Sequence, residues 1–445
     1  VSDAVARRAA RNITRHYLLT NLGLFGLLST LAVWLTASGY RADTTGALVT
    51  VFTITNKVAK VPLARWLDRL APRAAVLLGC ATAAAGFLVL AASHHLATTT
   101  AALVLAGLGI SVNALASKQL AAEASDLADS RARLFSRVNI AVNVASAVAA
   151  PGALYLVHRN RHVEVMIAIA VVYLVAGVVT FLNNAGLPAR ARTDSTTSSL
   201  AAYLSVLRLP GIPAFLLVNM LGWFCYGQLF NALAVHVTDA LRAGGRLGWL
   251  YTLNALFIVG AQVVVTHRAE RASRGRPAQV VVVAYGAFGL AFALLAIVPG
   301  YLGAVAAVVV FTIGEMLFVP TMDVVLLGLL GGRSRAIGYG AFSLSNALGE
   351  AVGGGVGVAT YRLLAAHGHE RLFWFAVTVV ALFSALLAYR MRMLIAERPE
   401  PVAVPAGPAG RNDVARSDAV RSDTARNDKE GTSEGSGPGN ESDLP

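Results

Sequence analysis

The chain has 445 residues, 56% of them hydrophobic and 14% charged, with a mean hydropathy of +0.62. A soluble protein usually carries about a quarter charged residues, so the composition argues against a cytosolic enzyme or a nucleic-acid-binding protein. The net charge of +13 comes from 33 Arg and four Lys against 24 acids, and both cysteines, Cys80 and Cys225, lie inside apolar runs with no sign of a disulfide design.

About 20 apolar residues carry a helix across the hydrocarbon core. That ruler predicts twelve spans, at roughly 16–39, 46–66, 74–93, 98–119, 137–157, 165–183, 212–236, 248–266, 278–298, 302–325, 338–361 and 372–392. In a bilayer the backbone must satisfy itself within the segment, so runs this long read as helices. Arg7, Arg8, Arg11 and Arg15 precede the first run as in a signal peptide. That run is longer than a signal core and no small-residue cleavage pattern closes it, so it reads as the first span.

Basic residues set the orientation. With the N-terminus inside, the cytoplasmic ends and short loops hold 22 arginines and the opposite loops seven. Both termini are therefore expected in the cytoplasm, and the basic excess is a topology signal. The Arg-over-Lys bias suggests a high-GC bacterium, which places the chain in an inner (cytoplasmic) membrane.

The segments divide as a first six-helix half at 1–183, a polar cytoplasmic linker at 184–210, a second half at 211–397 and a tail at 398–445. The tail is rich in Pro, Gly and Ser with a five-residue period of the Arg-Ser-Asp type. It lacks the apolar side chains for a core and is expected to be disordered. The halves echo each other at an offset of 202–203 residues. Asp68-Arg69 answers to Glu270-Arg271, Arg131 and Arg133 to Arg333 and Arg335, and Asn143 to Asn346. Duplicated halves with a binding site between them near the midplane are a transporter architecture.

The loop after span two reads Ala64-Arg65-Trp66-Leu67-Asp68-Arg69-Leu70-Ala71-Pro72-Arg73. It resembles the Gly-x-x-x-Asp-Arg-x-Gly-x-Arg motif of the major facilitator superfamily, matching at Asp68, Arg69 and Arg73 with alanine at both glycine positions. The stretch 266–276, with Glu270 and Arg271, is similar to a degenerate second copy. The resemblance implies an all-α membrane protein of twelve helices in two pseudo-symmetric six-helix halves, and a cytoplasmic charge cluster that closes the inner gate. Span five carries Ala145, Ala149 and Ala153 with Pro151-Gly152, which resembles the Gly/Pro-rich motif of the twelve-span drug:proton antiporters. Span eleven has a richer run at Gly349, Gly353, Gly354, Gly355 and Gly357.

A charge near the bilayer centre costs at least ~2.5 kcal/mol and marks a functional candidate. Lys57 falls about ten residues, or about 15 Å, from either end of span two, too far to snorkel. Glu350 in span eleven has a similar depth, so a buried Lys57–Glu350 pair that forms and breaks between the halves is expected. A carboxyl in apolar surroundings is costly to ionise, which suits proton uptake and release by Glu315 in span ten. The alternative for both acids is a static helix-to-helix hydrogen bond. Lys60, a turn below Lys57, and Asp323 and Lys118, toward the cytoplasmic ends of their spans, complete the set, Asp323 as a further proton-coupling candidate. Antiporters of this type often carry an acid in span one or four, which this chain lacks.

Polar positions in apolar helices, at Asn21, Asn143, Asn254 and Asn346, together with Trp223 and Tyr226 of an aromatic stretch in span seven, are the candidates for a substrate cavity. The alternative for the aromatics is plain packing. No phosphate-binding loop, nucleophile elbow or zinc helix occurs; His367-x-His369-Glu370 and His94-His95 lack further metal ligands. No cofactor, metal or enzyme activity is expected. The reading is a monomeric secondary-active transporter that exports a small amphipathic organic compound by alternating access with proton antiport. Its alternatives are proton-coupled uptake of a small metabolite and, from another class, a membrane sensor or lipid-modifying enzyme.

Overall fold

The computed structural model of the chain describes residues 3–92, 95–127, 130–159, 161–184, 199–331 and 335–396. Within these the chain is helical, and residues up to Ala396 pack as one unit. The first half contains α1 (Asp3–Ala37), α2 (Ala42–Val58), α3 (Lys60–Leu67), α4 (Pro72–Ala92), α5 (Leu96–Asp126), α6 (Arg131–His158) and α7 (His162–Asn183). A short α8 (Ser199–Leu207) follows. The second half comprises α9 (Ile212–Gly227), a one-turn α10 (Leu233–Val235), α11 (Leu247–Ala272), α12 (Pro277–Ile297), α13 (Gly300–Leu330), α14 (Arg335–Ala366) and α15 (Glu370–Ala396).

Eleven of these helical stretches are long and apolar enough to cross a membrane. The twelfth expected span corresponds to α14, whose 32 residues include Glu350 and the glycine run, which lower its hydropathy. The chain is thus a multi-pass membrane protein. Large apolar side chains such as Leu182, Leu302 and Leu363 stand more than 60% exposed on the outside of the bundle, where lipid would cover them.

The two halves are pseudo-symmetric. In the first, α1 packs on α6, and α4 packs on both α5 and α7; in the second, α9 packs on α14, and α12 on both α13 and α15. Each pairing recurs six spans later. Between the halves, α6 meets α11 and α13, while α14 meets α2, α3 and α5. Small residues permit the tightest approaches. At Gly86 in α4 a Cβ atom would stand 2.8 Å from the Cα of Ala106 in α5.

Three details depart from the expected elements. Span two is broken at Ala59, between α2 and α3. Pro62 explains the break: it has no N–H to donate to Val58 and its ring crowds that carbonyl. The expected polar linker ends in a helix, α8, whose Tyr203 hydroxyl donates to the carbonyl of Val61. Residues 185–198 of the linker, Arg333, His94 and the whole tail lie outside the described residues. Span seven continues beyond α9 through two π-helical turns, Gln228–Ala232 and His236–Ala240. There the Gln228 amide donates to Phe224 O at 3.0 Å and reaches across to Gly353 O at 3.2 Å.

Candidate functional site

The arginine-rich ends of the helices carry the first layer of contacts. Asp68 follows α3 directly, and its Oδ1 accepts from the Gln119 amide and from the backbone N–H of Ala336, both at 3.1 Å. Ala336 is the second residue of α14, so this carboxylate meets an orphan donor at the positive end of a helix from the other half. Asp126, at the end of α5, accepts from Arg131 at 2.9 Å and from Arg335 at 2.6 Å, again joining the halves. Ser130, the N-cap of α6, donates to Glu270. The structure thus brings Asp68 and Glu270 of the motif copies into contacts between the halves. It leaves Arg69 and Arg271 exposed, while Arg73 stacks over Phe181 within the first half, 5.5 Å from the ring centroid.

Deeper in, Lys57 pairs with Glu350 and so joins α2 to α14. The pair is not buried as expected: its side chains are 37% and 33% exposed, because it sits at the edge of the bundle where α2 ends beside the Ala59 break. A second pair is better enclosed. Lys118 of α5 donates to both oxygens of Asp323 in α13, at 2.7 and 2.6 Å, and Asp323 is only 4% exposed. The rings of Phe135, Tyr339 and Phe342 surround the ammonium, with centroids 5.7–5.9 Å away. Around these pairs a polar seam closes α6 on α11: Ser136 bonds to Thr266 at 2.6 Å, and Asn139 to Gln262 at 2.9 Å.

Above the Lys118–Asp323 pair lies a cavity of about 1270 Å³ between the halves. Its wall runs from Phe135, one turn into α6 from the arginine-rich end, to Leu154 and Gly248 near the opposite ends of α6 and α11. The contacts between halves gather on one side of this space, so the molecule is closed at its arginine-rich face and hollow towards the other. Asn21, Asn143, Asn254, Asn346, Trp223 and Tyr226 all line the cavity. So do Glu315 and Asp323, whereas Lys57 and Glu350 do not.

Glu315 is 1% exposed. Its Oε2 accepts from the Asn254 amide at 2.8 Å, and that amide also donates to Thr312 at 3.0 Å. Tyr226 stands beside the same carboxyl. Tyr226 belongs to an aromatic ladder: its centroid is 4.9 Å from both Trp223 and Phe230, and Phe230 stacks on Tyr251 at 5.4 Å. Asn346 accepts from Asn219, and Asn143 donates to Asn139 O at 3.0 Å. A carboxyl beside an apolar, aromatic wall can bind either a proton or a donor group of a ligand.

Several participants escape a reading of the sequence. His16, buried in span one, bonds to Thr180 at 2.8 Å and to Ser117 and Asn113 of span four at 2.8 and 3.0 Å. It stands where the first half lacks an acid. Asp126 and Arg335 look like ordinary loop charges. The seam of Ser136, Asn139, Gln262 and Thr266 carries a signal, the three- and four-residue spacing that puts each pair on one helix face. Among the described residues no three metal-ligating side chains converge.

The sequence profile of the Major Facilitator Superfamily matches residues 17–354. The chain belongs to this family of membrane transporters. No curated protein matches it. Solved structures share its fold at low identity. The human organic anion transporter MFSD10 (TETRAN) is 16% identical with a TM-score of 0.68, over 86% of this chain and 99% of that one. A POT family transporter in complex with a thioalcohol-conjugated peptide is 16% identical with a TM-score of 0.64, over 87% and 96%. The fucose transporter FucP in the outward conformation is 12% identical with a TM-score of 0.66, over 86% and 98%.

Proposed function

We propose that the chain is a secondary-active exporter of a small amphipathic organic compound, working by alternating access with proton antiport. The observation that carries the reading is Glu315, an almost fully buried carboxyl on the wall of a 1270 Å³ cavity between two pseudo-symmetric halves. Antiport needs the proton and the substrate to exclude one another. A single carboxyl that accepts a proton in one phase and a substrate donor in the other meets that requirement. The aromatic ladder beside it suits a substrate with an apolar body.

With the arginine-rich face in the cytoplasm, the form described here faces outward. Turning inward requires the Asp68, Asp126 and Lys118–Asp323 contacts to open together. The partly exposed Lys57–Glu350 pair breaks in the same motion. Export is favoured over uptake by the span-five run of Ala145, Ala149, Ala153 and Pro151-Gly152, with its likeness to drug:proton antiporters. Proton coupling itself accords with a fold neighbour described as a fucose:proton symporter, although its 13% identity extends to fold alone.

The test is accumulation in everted membrane vesicles of amphipathic dyes and antibiotics under an inside-acid pH gradient. Wild type should accumulate a substrate and lose it when the gradient collapses. Glu315→Gln should cut gradient-driven accumulation by about tenfold or more, the range that loss of one positioned proton-transfer group gives. Accumulation that ignores both the gradient and this substitution would overturn the antiport reading. Uptake by right-side-out vesicles instead would reverse its direction.

A further inference from the structure

Four ionisable side chains of opposite sign line the cavity: Lys60, Lys118, Glu315 and Asp323. Two of them cancel, because Lys118 grips both oxygens of Asp323. The other two have no ionic partner among the described residues. Glu315 is held by the neutral amide of Asn254. Lys60 has other lysines, Lys57 and Lys118, as its charged neighbours. A charge enclosed within a membrane protein is costly unless something of opposite sign meets it. The wall therefore presents one uncompensated cation and one uncompensated acid.

Their placement orders them along the cavity. Lys60 belongs to the level of Lys118 and Asp323, at the closed end. Glu315 lies eight residues before Asp323 on α13, which is about 12 Å nearer the open end at 1.5 Å per residue. A second donor sits at the closed end: Tyr17 is 9% exposed, lines the cavity near Asp323, and its hydroxyl has no hydrogen-bond partner. An ammonium and a hydroxyl at the base fit a carboxylate. The Glu315 carboxylate and the rings of Tyr226 and Trp223 above it fit an ammonium.

We infer that the substrate is zwitterionic, with an anionic group bound by Lys60 and Tyr17 at the closed end and a protonated amine bound by Glu315 nearer the open end, the two charges separated by an apolar body. The inference rests on the transport reading and narrows its substrate class. It keeps the antiport logic, since the amine and the proton compete for Glu315.

The test is binding to purified protein in lipid nanodiscs at fixed pH with no gradient, measured by calorimetry and thermal shift. The probes are 8-aminooctanoate, octanoate and octylamine, which share a chain length and differ in their charged ends. Wild type should bind the zwitterion about tenfold or more tighter than either singly charged probe. Lys60→Gln should erase its advantage over octylamine and leave its advantage over octanoate, and Glu315→Gln should do the reverse. Tyr17→Phe should weaken carboxylate binding a few-fold, and Lys60→Arg should retain most of it. Both conservative variants report on binding should Lys60→Gln fail to fold. No zwitterion binding at about 10 mM, equal binding of all three probes, or selectivity indifferent to Lys60 and Tyr17 would each overturn the inference. Proton coupling fails separately, in the vesicle assay. Selective zwitterion binding without gradient-driven accumulation would remove antiport and leave this site standing.

Discussion

The Lys118–Asp323 pair is where a single residue has the most leverage on the resting conformation. Asp323 is almost wholly enclosed, both of its oxygens are held by one ammonium, and three rings stand within 6 Å of that ammonium. Removing one partner leaves the other charge stranded, which for buried pairs costs about 3–5 kcal/mol, whereas removing both charges is far milder. Lys118→Gln and Asp323→Asn should therefore each lower the unfolding temperature of the purified protein, and the double substitution should restore much of the loss. Additive losses would mean that the pair contributes no more than two independent contacts. This pairing was not legible beforehand, because both residues read as charges near helix ends, where solvent is at hand. Lys57 and Glu350 were legible as partners, since each stands out at matching depth in an apolar run. Their exposure was not, because it depends on where α2 breaks and what covers its edge.

Among the helices, α9 and α14 show how composition becomes geometry. The glycines of α14 at 349, 353 and 357 recur every four residues and form one buried face against α9 and the π-helical turn that follows it. A Cβ at Gly353 would stand 2.7 Å from Phe224 O, whereas one at Gly355 would meet nothing within 4 Å. Gly353→Val should destabilise the protein by about 1–3 kcal/mol through overpacking. Gly355→Ala should be neutral, or stabilising by up to about 1 kcal/mol through helix propensity. Unfolding midpoints of the two variants check this, and equal effects would mean that the helix pair is looser than described. Helix existence was readable nearly everywhere, because a bilayer forces an apolar run of this length into one conformation. The exceptions are instructive. Pro62 announced the break at Ala59 in its own sequence position, but hydropathy alone runs straight through it. In 199–207 the apolar periodicity of α8 was masked by the polar residues just before it. At the first π-helical turn Gln228 reaches Gly353, a contact between spans that no local pattern reveals.

At the scale of the whole molecule, the contacts across the halves are unevenly placed, and such an imbalance is what the proposed alternation between two states requires. Asp68 on the N-terminus of α14, Asp126 on Arg335, and the seam between α6 and α11 all lie on the arginine-rich side, opposite the open end of the cavity. A contact made in one state and absent from the other shifts their ratio by its own free energy. A carboxylate at a helix N-terminus contributes about 0.3–1 kcal/mol, and up to about 2 kcal/mol when partly buried. Asp68→Asn should then raise the share of the inward-open form severalfold, and Asp126→Asn, which releases Arg335, should raise it further. Spin labels at Arg133 and Arg271, exposed on that face in different halves, give the readout by pulsed electron resonance. Wild type should show one dominant short separation, and the variants a growing second population at longer distance. The inner-gate role of the span-two motif would fall if the distance distribution stayed unchanged in both variants. If the longer population appeared instead in Glu350→Gln alone, the half-exposed Lys57–Glu350 pair, and not the arginine-rich layer, would set the balance between the two forms.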